Sequence, residues 1–398
     1  MKLFTTLIIL LFISVTSMAA TANKLSPDAQ AYIQASKRQP PGDISDILEP
    51  IRKQYKLPAI AAVVTTGERL VEVGVCGNRV WGENTPALIT DPFHLGSDTK
   101  SMTATLAAIL IQQHKLRWNT TLQQAFPELD ISMLPAYRNV TVQDLMQQRS
   151  GFSADSALPN LSILQQYMLP GSPMQQREVY VEHILEDPPV NVPGTTFVYS
   201  NRNYAVLGHL LEVITHTPWE KLIKKLLFDP LGMDSAGFGP MAKMNTKDAP
   251  WEYYLQNGHH KAVPPGPYAD NPDTIAPAGK VHCSVEDWAK YIALHLRGEE
   301  GKNGLLPADI IKKLHTAPKG SIYADGWVVL TRVWADGEAL WHNGSNNLNY
   351  SEVWMAPKRD FAVLVMMNQG GTEAAAAADA VATKLIIQYI HSLKVKPH

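Results

Sequence analysis

Hydrophobic residues follow two rhythms along the chain, and each rhythm predicts a different kind of element. The stretch LPAIAAVVTTGERLVEVGVCG, residues 57–77, carries β-branched residues on both sides of Gly67, which predicts a hairpin of two strands. Apolar residues within 102–110 and 206–214 recur at helical spacing. Proline- and glycine-rich loops separate these segments, because such residues cannot continue a helix or a central strand. The middle of the chain is therefore expected to be mainly helical.

A second group of strands is predicted towards the C-terminal end. Its members are separated by short turns, a spacing typical of an antiparallel meander, and they are GWVVLTRVW, ALWHNGS, YSEVWMAP and FAVLVMMN. The final alanine-rich stretch has helical spacing, so a terminal helix should cover one sheet face. Together the patterns predict an α/β fold: one antiparallel sheet built from both chain ends, flanking helices, and a mainly helical subdomain inserted at roughly residues 101–285.

The balance of charges argues against one class of partner. Lys and Arg together number 35 against 37 Asp and Glu, which gives a formal net charge of -2. No run of basic residues could neutralise a string of phosphates or hold an anionic membrane surface. Nucleic acid is therefore not an expected partner. The 45% hydrophobic content of the 398-residue chain fits a well-buried globular core.

The N-terminus has the pattern of a secretory signal peptide. One lysine precedes an apolar run, and small residues follow with Ala20-Thr21-Ala22 as a cleavage site, which predicts a signal peptide at residues 1–22 and a secreted or periplasmic protein. An uncleaved membrane anchor is the alternative, because the apolar run approaches the length that spans a bilayer. In an oxidising compartment Cys76 and Cys283 could form a disulfide, although two buried free thiols fit the sequence at least as well.

The most suggestive chemistry lies in the stretch HLGSDTKSMTATLAAIL, where Ser97 and Lys100 are three residues apart at the start of a predicted helix. On one helix face their Cβ atoms would be roughly 5 to 6 Å apart. A serine hydroxyl is a poor nucleophile while it keeps its proton, and a lysine whose pKa is lowered can take that proton. The alternative is ordinary: Ser97 caps the helix and Lys100 is solvated.

Two further segments carry residues that would suit the same reaction. Tyr199 and Asn201, in the stretch YSNRNYAVLGHLLEVI, precede another predicted helix. Nearby cations could hold the Tyr199 hydroxyl partly ionised as a second proton carrier, and the Asn201 amide could orient the lysine and bind a substrate amide. Packing and capping are the alternative roles for this pair.

The third segment is LWHNGSNN at the end of a predicted strand. Gly344 would let a substrate backbone lie against the strand edge, and His342 could carry positive charge near a substrate carboxylate. The backbone N–H of Ser345 could complete an oxyanion hole with that of Ser97.

In this order and at these separations, the three segments resemble the motifs of the penicillin-recognising serine hydrolases, which include class C β-lactamases, DD-peptidases and related esterases. The middle element is Tyr-Ser-Asn, as in the class C and DD-carboxypeptidase branch. The stretches VTVQDLMQQRSGF and LLFDPLGMDSAGFG are similar to further segments of that family. The resemblance covers roughly residues 44–392 and implies one β-lactamase-related domain with a β-lactamase/DD-peptidase-like fold.

The resemblance also implies roles for the motif residues. Ser97 would be the acylated nucleophile, Lys100 its proton partner, and Tyr199 the base that relays protons and later activates water. Asn201, His342 and Gly344 would bind substrate, and the N–H groups of Ser97 and Ser345 would hold the oxyanion. The chain departs from class C β-lactamases at His342, where that branch has a lysine, so efficient β-lactam turnover is not implied.

The expected activity is hydrolysis of D-amino acid peptides, esters or amides through an acyl-enzyme, acting on a small-molecule or cell-wall peptide substrate. The alternatives are a class C-type β-lactamase, and a penicillin-binding sensor or scaffold without turnover. No cofactor or metal is expected, since there is no H-E-x-x-H helix, and His259-His260 is interpreted as part of a surface loop. A G-x-S-x-G elbow is also missing, which argues against an α/β-hydrolase. The sequence leaves the oligomeric state open.

Overall fold

The computed structural model describes residues 25–129, 132–154 and 158–395. The signal peptide expected at residues 1–22 lies outside them. Within the described part of the chain, no helix combines the length and the apolar character that crossing a membrane requires. Cys76 and Cys283 are both free thiols in the structure rather than a disulfide.

Twelve strands occur in the described residues, and they form one large and two small sheets. In chain order they are β1 (Gly42–Asp43), β2 (Ala59–Thr65), β3 (Leu70–Gly77), β4 (Phe93–His94), β5 (Gly237–Phe238), β6 (Glu252–Gln256), β7 (His259–Val263), β8 (Val281–Cys283), β9 (Val328–Arg332), β10 (Gly337–Gly344), β11 (Tyr350–Ala356) and β12 (Phe361–Met367). The seven-stranded sheet has the order β1-β3-β2-β12-β11-β10-β9. The small sheets are β4-β8-β5 and the hairpin β6-β7.

Helices cover both faces of the large sheet and fill the middle of the chain. They are α1 (Pro27–Arg38), α2 (Ser45–Gln54), α3 (Thr99–Gln112), α4 (Leu122–Ala125), α5 (Val142–Met146), α6 (Ile163–Tyr167), α7 (Pro173–Glu186), α8 (Asn201–Thr215), α9 (Trp219–Ile223), α10 (Asp229–Leu231), α11 (Ala276–Gly279), α12 (Val285–Glu299), α13 (Ala308–Leu314) and α14 (Thr372–Val395). A π-helical turn, Lys224–Phe228, joins α9 to α10. A 3₁₀ turn, Gly96–Asp98, leads into α3.

Pairing between β2 and β12 joins the two ends of the chain into one sheet. Val63 lies opposite Leu364 in an antiparallel ladder, and β3 and β11 extend the sheet on either side. This architecture confirms the predicted α/β fold, with its N-terminal hairpin and its C-terminal meander.

The buried strand β2 shows why the hydrophobic pattern there is continuous rather than alternating. Ala61 and Val63 face one core cluster, which holds α3, α8 and α12, whereas Ile60 and Val64 face a second cluster formed with α2 and α14. Helices therefore cover both faces of the strand, so no position along it needs to be polar.

One local prediction is wrong. His259 and His260 begin strand β7 rather than lying in a loop. The His260 ring stacks on Trp81 with centroids 3.9 Å apart, and its Nε2 lies 2.7 Å from the carbonyl oxygen of Lys56. These tertiary contacts stabilise a strand that the local sequence does not favour.

Candidate active site

Ser97 occupies the 3₁₀ turn between β4 and α3, and Lys100 lies in the first turn of α3. The Lys100 Nζ is 2.9 Å from Ser97 Oγ, 2.8 Å from Asn201 Oδ1 and 2.8 Å from the carbonyl oxygen of Ala278. An ammonium group has three protons to donate, so these three acceptors satisfy it completely. The Lys100 side chain is fully buried, which differs from the solvated alternative that the sequence left open.

The protonation state of Lys100 is set mainly by its burial. Desolvation disfavours the ammonium form and lowers the pKa of Lys100 from 10.5 to about 7, while the charge of Asp98 acts in the opposite direction. Near neutral pH both the amine and the ammonium are therefore populated. The amine form can accept a hydrogen bond from the Ser97 hydroxyl, so proton exchange between the two side chains needs no rearrangement.

Tyr199 lies just before α8, with its ring over the lysine. The Lys100 Nζ is 4.9 Å from the ring centroid, and the Tyr199 hydroxyl hydrogen-bonds with Ser97. Burial raises the pKa of Tyr199 above its ordinary value, and the Ser97 hydrogen bond opposes that shift only in part. The prediction of a partly ionised phenol is therefore wrong, because burial raises the pKa of Tyr199 and the charge of Asp98 acts in the same direction. The residue as a whole is 37% exposed, so part of it reaches solvent.

Asn201 is the first residue of α8, and Ser200 caps that helix by accepting a hydrogen bond from the Arg202 N–H. This cap fixes the direction in which α8 begins. The Asn201 side chain consequently lies in the cleft while its Oδ1 accepts from Lys100. One amide thus contacts both the lysine and the space where a substrate would lie.

The third segment, LWHNGSNN, packs against the turn that carries Ser97, and a glycine on each side allows this contact. Gly96 has a φ of +47°, a left-handed conformation that glycine adopts without strain. A Cβ on Gly344 would lie only 2.6 Å from the Ser97 nitrogen, and a Cβ on Gly96 would collide with the Ser345 nitrogen. The backbone amides of Ser97 and Ser345 are therefore close neighbours. Gly344 is therefore required for this backbone contact, and its expected role in letting a substrate backbone approach the strand edge stays a prediction.

His342 is buried beside the cleft rather than on its surface. Its Nδ1 lies 2.7 Å from the Asn343 carbonyl oxygen and 3.5 Å from Asp98 Oδ1, and its Nε2 lies 3.3 Å from the Tyr323 hydroxyl. Both ring nitrogens therefore have protein partners, and the substrate-binding role expected of His342 stays a prediction.

Three residues that sequence reasoning missed hold the nucleophile turn in place. Asp98 accepts a hydrogen bond from the Ser351 hydroxyl on β11. His94 accepts from the Gly96 N–H at 3.0 Å, and its other nitrogen lies 2.9 Å from Asp270 Oδ1. His94 could have been proposed as a site residue from the sequence, because it lies only three residues before Ser97. Asp270 could not have been, because its proximity arises only from the tertiary fold.

Ser97 opens into a cleft of about 520 Å³. Asn201, Ser345 and Asn346 line one part of it, and residues of α6 and of the loop before α11 line another. Among the described residues, no group of three or more His, Cys, Asp or Glu side chains is arranged to hold a metal ion. The groups gathered here are a hydroxyl, an amine and a phenol next to two neighbouring backbone amides, an arrangement suited to acyl transfer.

Comparisons with known proteins point in the same direction. The chain matches the family model described as Beta-lactamase over residues 44–387. An unguisins hydrolase of Aspergillus campestris is 24% identical over 342 residues, which cover 82% of this chain and 61% of that protein. This chain therefore spans less than two thirds of that relative's length.

Two solved structures share the fold at low sequence identity. The octameric penicillin-binding protein homologue from Pyrococcus abyssi superposes with a TM-score of 0.69 at 23% identity, covering 86% of this chain and 76% of its own. A D-stereospecific amidohydrolase from a Streptomyces species gives a TM-score of 0.64 at 18% identity, covering 89% of this chain and 98% of its own.

Proposed function

This chain belongs to the Beta-lactamase family, as its three motifs predict, and on that basis we propose that it is a serine acyl hydrolase acting through Ser97. Its substrates would be D-amino acid peptides, esters or amides. One observation carries the proposal: a buried Lys100 whose pKa is about 7 lies 2.9 Å from the Ser97 hydroxyl. Such a lysine can act as a base at neutral pH, which a solvated lysine cannot.

In the acylation step, the neutral Lys100 amine takes the Ser97 proton while Oγ attacks the substrate carbonyl carbon. The negative charge that develops on the carbonyl oxygen is held by the N–H groups of Ser97 and Ser345. Tyr199, which is protonated and contacts Ser97, gives its proton to the leaving amine or alcohol and recovers one from Lys100. The products of this step are an ester on Ser97 and the protonated leaving group.

Deacylation uses the same groups in reverse. The Lys100 amine, through Tyr199, accepts a proton from water, whose oxygen attacks the ester carbonyl carbon. The tetrahedral intermediate collapses by breaking the bond to Ser97 Oγ, which regains a proton. The net reaction adds one water across the scissile bond and returns the side chains to their starting state.

His342 also has a positioning role in this proposal. Its ring contacts Asp98 on one side and the Tyr323 hydroxyl on the other, so it helps to hold the residue that follows the nucleophile. Asn201 keeps its binding role, because its side chain lies in the cleft.

The names of two relatives support the substrate class. A D-stereospecific amidohydrolase shares the fold, and an unguisins hydrolase shares sequence over 82% of this chain. Both are hydrolases by name. The stereochemistry and the leaving group proposed for this chain rest on those resemblances together with the cleft geometry.

A fluorophosphonate probe tests the nucleophile. We expect it to label the wild-type protein and not Ser97→Ala, and mass spectrometry should place the adduct on Ser97. Ser392→Ala, which removes a hydroxyl from the last turns of α14, is the control and should label like the wild type. Equal labelling of the wild type and Ser97→Ala would refute the proposal.

Nitrocefin separates the two enzymatic alternatives. Because His342 is buried among protein partners, we expect at most one stoichiometric burst of nitrocefin hydrolysis. Sustained turnover would instead favour a class C-type β-lactamase. A broad panel of esters and D-peptides that gives no hydrolysis would favour the sensor or scaffold.

The location outside the cytoplasm stays a prediction that N-terminal sequencing of the mature protein tests.

A further inference from the structure

One wall of the cleft that contains Ser97 is apolar. We call this wall the apolar ledge; it consists of Ile163 and Tyr167 of α6 together with Tyr268 and Ile275. The Ile163 side chain is 45% exposed and Tyr268 is 64% exposed. Large apolar side chains that cluster at the surface of a cleft commonly mark a place where a ligand binds.

Hydrogen bonds hold the ledge in place before any substrate arrives. The Tyr167 hydroxyl donates to the Asp270 carbonyl oxygen at 2.6 Å, and the Thr274 hydroxyl donates to Gln166 Oε1 at 2.7 Å. The rings of Tyr167 and Tyr268 meet edge to face, with centroids 5.5 Å apart. Helix α6 and the loop that carries Tyr268 are therefore joined to each other. A preformed apolar surface loses less conformational entropy on binding than one that must be assembled.

Another part of the lining, the polar wall, differs in chemistry and consists of Asn201, Ser345, Asn346 and Asn347. The Ser345 hydroxyl and the Asn346 amide already bond within the protein, so the amides of Asn201 and Asn347 would be the side chains that meet the peptide groups of a substrate. Among the described residues that line the cleft, Asp270 supplies the carboxyl group and the other polar side chains are neutral or phenolic. A substrate would therefore place its peptide groups against the polar wall and a side chain against the ledge.

The size of the cleft agrees with this division. A volume of about 520 Å³ is much larger than an alanine side chain and lies within the usual range for small-molecule sites. A methyl group would leave most of the ledge exposed to water. A leucine or phenylalanine side chain would cover it, and the free energy gained grows with the apolar area removed from water.

We propose that the apolar ledge is the subsite for a bulky apolar side chain next to the scissile bond. The enzyme would then act on hydrophobic D-amino acid peptides, amides and esters in preference to alanyl ones. This inference rests on the proposed function of Ser97, because the ledge is placed relative to that nucleophile.

The test compares D-alanyl, D-leucyl and D-phenylalanyl p-nitroanilides. In a hydrophobic pocket, each well-packed methylene changes selectivity about tenfold or more. We therefore expect kcat/KM for the D-leucyl and D-phenylalanyl substrates to exceed that for the D-alanyl substrate at least about tenfold. Ile163→Ser and Tyr268→Ser should each reduce that ratio several-fold. Val333→Ser is the matched control, since Val333 is 96% exposed and is not among the residues that line the cleft.

Two measurements distinguish a wrong assignment of the apolar ledge from a wrong assignment of Ser97 as the nucleophile. The fluorophosphonate labelling of Ser97 in Ile163→Ser and Tyr268→Ser reports whether each variant is folded and whether its nucleophile still reacts. The amides of D-leucine and D-alanine, added as competitors, should protect Ser97 from the probe in the same order of preference even where turnover is slow.

The outcomes then divide cleanly. Labelling of the wild type, together with equal rates and equal protection for alanyl and leucyl compounds, would overturn the ledge and leave the nucleophile intact. An unchanged leucine preference in both ledge variants would overturn it as well. A wild-type protein that does not label would overturn the function proposed for Ser97 and this inference with it.

Discussion

The Gly96 N–H donates a hydrogen bond of 3.0 Å to Nδ1 of His94, two residues earlier in the chain. The other nitrogen of the same ring lies 2.9 Å from Asp270 Oδ1. Gly96 precedes Ser97, and Asp270 lines the cleft. The imidazole therefore links the turn that presents the nucleophile to the loop that carries Asp270.

Replacement of His94 should misplace Ser97. In His94→Leu the buried Gly96 N–H loses its partner, which costs about 1 to 3 kcal/mol, while Asp270 Oδ1 keeps the Asn271 N–H as a donor. We expect lower stability in urea unfolding and a labelling rate of Ser97 at least about tenfold below the wild type. His94→Asn offers a side-chain oxygen near the position of Nδ1 and should retain part of the rate. If His94→Leu were labelled at the wild-type rate, the hydrogen bond from the Gly96 N–H to His94 would not position the nucleophile.

A methyl group on Gly344 should disturb the same turn from the opposite side. The added Cβ would lie 2.6 Å from the Ser97 nitrogen, closer than real Cβ contacts allow. Since the neighbouring atoms are backbone, Gly344→Ala should lower the free energy of unfolding by about 1 to 3 kcal/mol and slow labelling of Ser97.

The control for Gly344→Ala is Gly266→Ala, whose Cβ would have no neighbour closer than the Pro264 carbonyl oxygen at 3.8 Å. It should behave like the wild type in both unfolding and labelling. If Gly344→Ala were equally harmless, the close packing of these two backbone segments would not matter for the site.

The fold could be predicted from the sequence where the evidence was local. Strand β2 was recognisable from its β-branched residues, and α14 from its alanines and spacing. Spacing alone did not reveal that α3 is buried on all sides from Thr99 to Leu110. Its hydroxyl groups are satisfied within the protein, as when Thr103 donates to the Pro277 carbonyl oxygen, and such partners are invisible in the sequence.

The residues of the candidate site could likewise be predicted only where they are close in sequence. Ser97 and Lys100 are three residues apart, so helix geometry alone brings them together. Asp98 and Ser351 are 253 residues apart, and only the completed sheet makes them partners. The ionisation of Tyr199 was mispredicted because burial, which the sequence does not give, determines its pKa.

A buried ion pair behind the cleft should be strongly stabilising. Arg177 on α7 donates to Glu212 of α8 at 2.7 Å, to Glu220 at 2.9 Å and to the Asp273 carbonyl oxygen at 2.5 Å. Arg177→Met leaves two carboxylates without their cation, and breaking a buried pair in this way costs about 3 to 5 kcal/mol in urea unfolding. Lys224→Met removes the exposed pair with Asp229 and should change stability by less than about 1 kcal/mol.

The pH dependence of the Arg177 pair has a definite sign. Burial raises the pKa of Glu212, but hydrogen bonds from His209 and Arg177 outweigh burial and hold that pKa below 4.5. A carboxyl group whose pKa is lowered on folding contributes stability above its unfolded pKa, and that stability is lost as the pH falls through the folded value. The wild type should therefore lose more stability than Arg177→Met below pH about 4.5. Parallel curves would contradict this assignment.

The labelling rate of Ser97 should rise with pH through about 7, because only the neutral Lys100 amine can take the serine proton. Below that pH each unit should reduce the rate about tenfold, since the amine fraction falls by that factor. The measurement is the pseudo-first-order rate of fluorophosphonate labelling between pH 5 and pH 9 at constant ionic strength. A rate that does not change across this range would exclude Lys100 as the base.

The pH dependence of the free energy of unfolding should reveal the lowered pKa of Lys100 independently of any reaction. The folded pKa of Lys100 is about 7 and its ordinary value is 10.5, so between these values unfolding takes up a proton. The free energy of unfolding of the wild type, compared with Lys100→Met, should therefore rise by about 1.4 kcal/mol per pH unit from pH 7 upwards and level off near pH 10.5. Below pH 7 the difference should be constant, because the lysine is then protonated in both states. Urea unfolding of the two proteins from pH 6 to pH 10 measures this slope, and a flat difference would mean that the buried amine keeps its ordinary pKa.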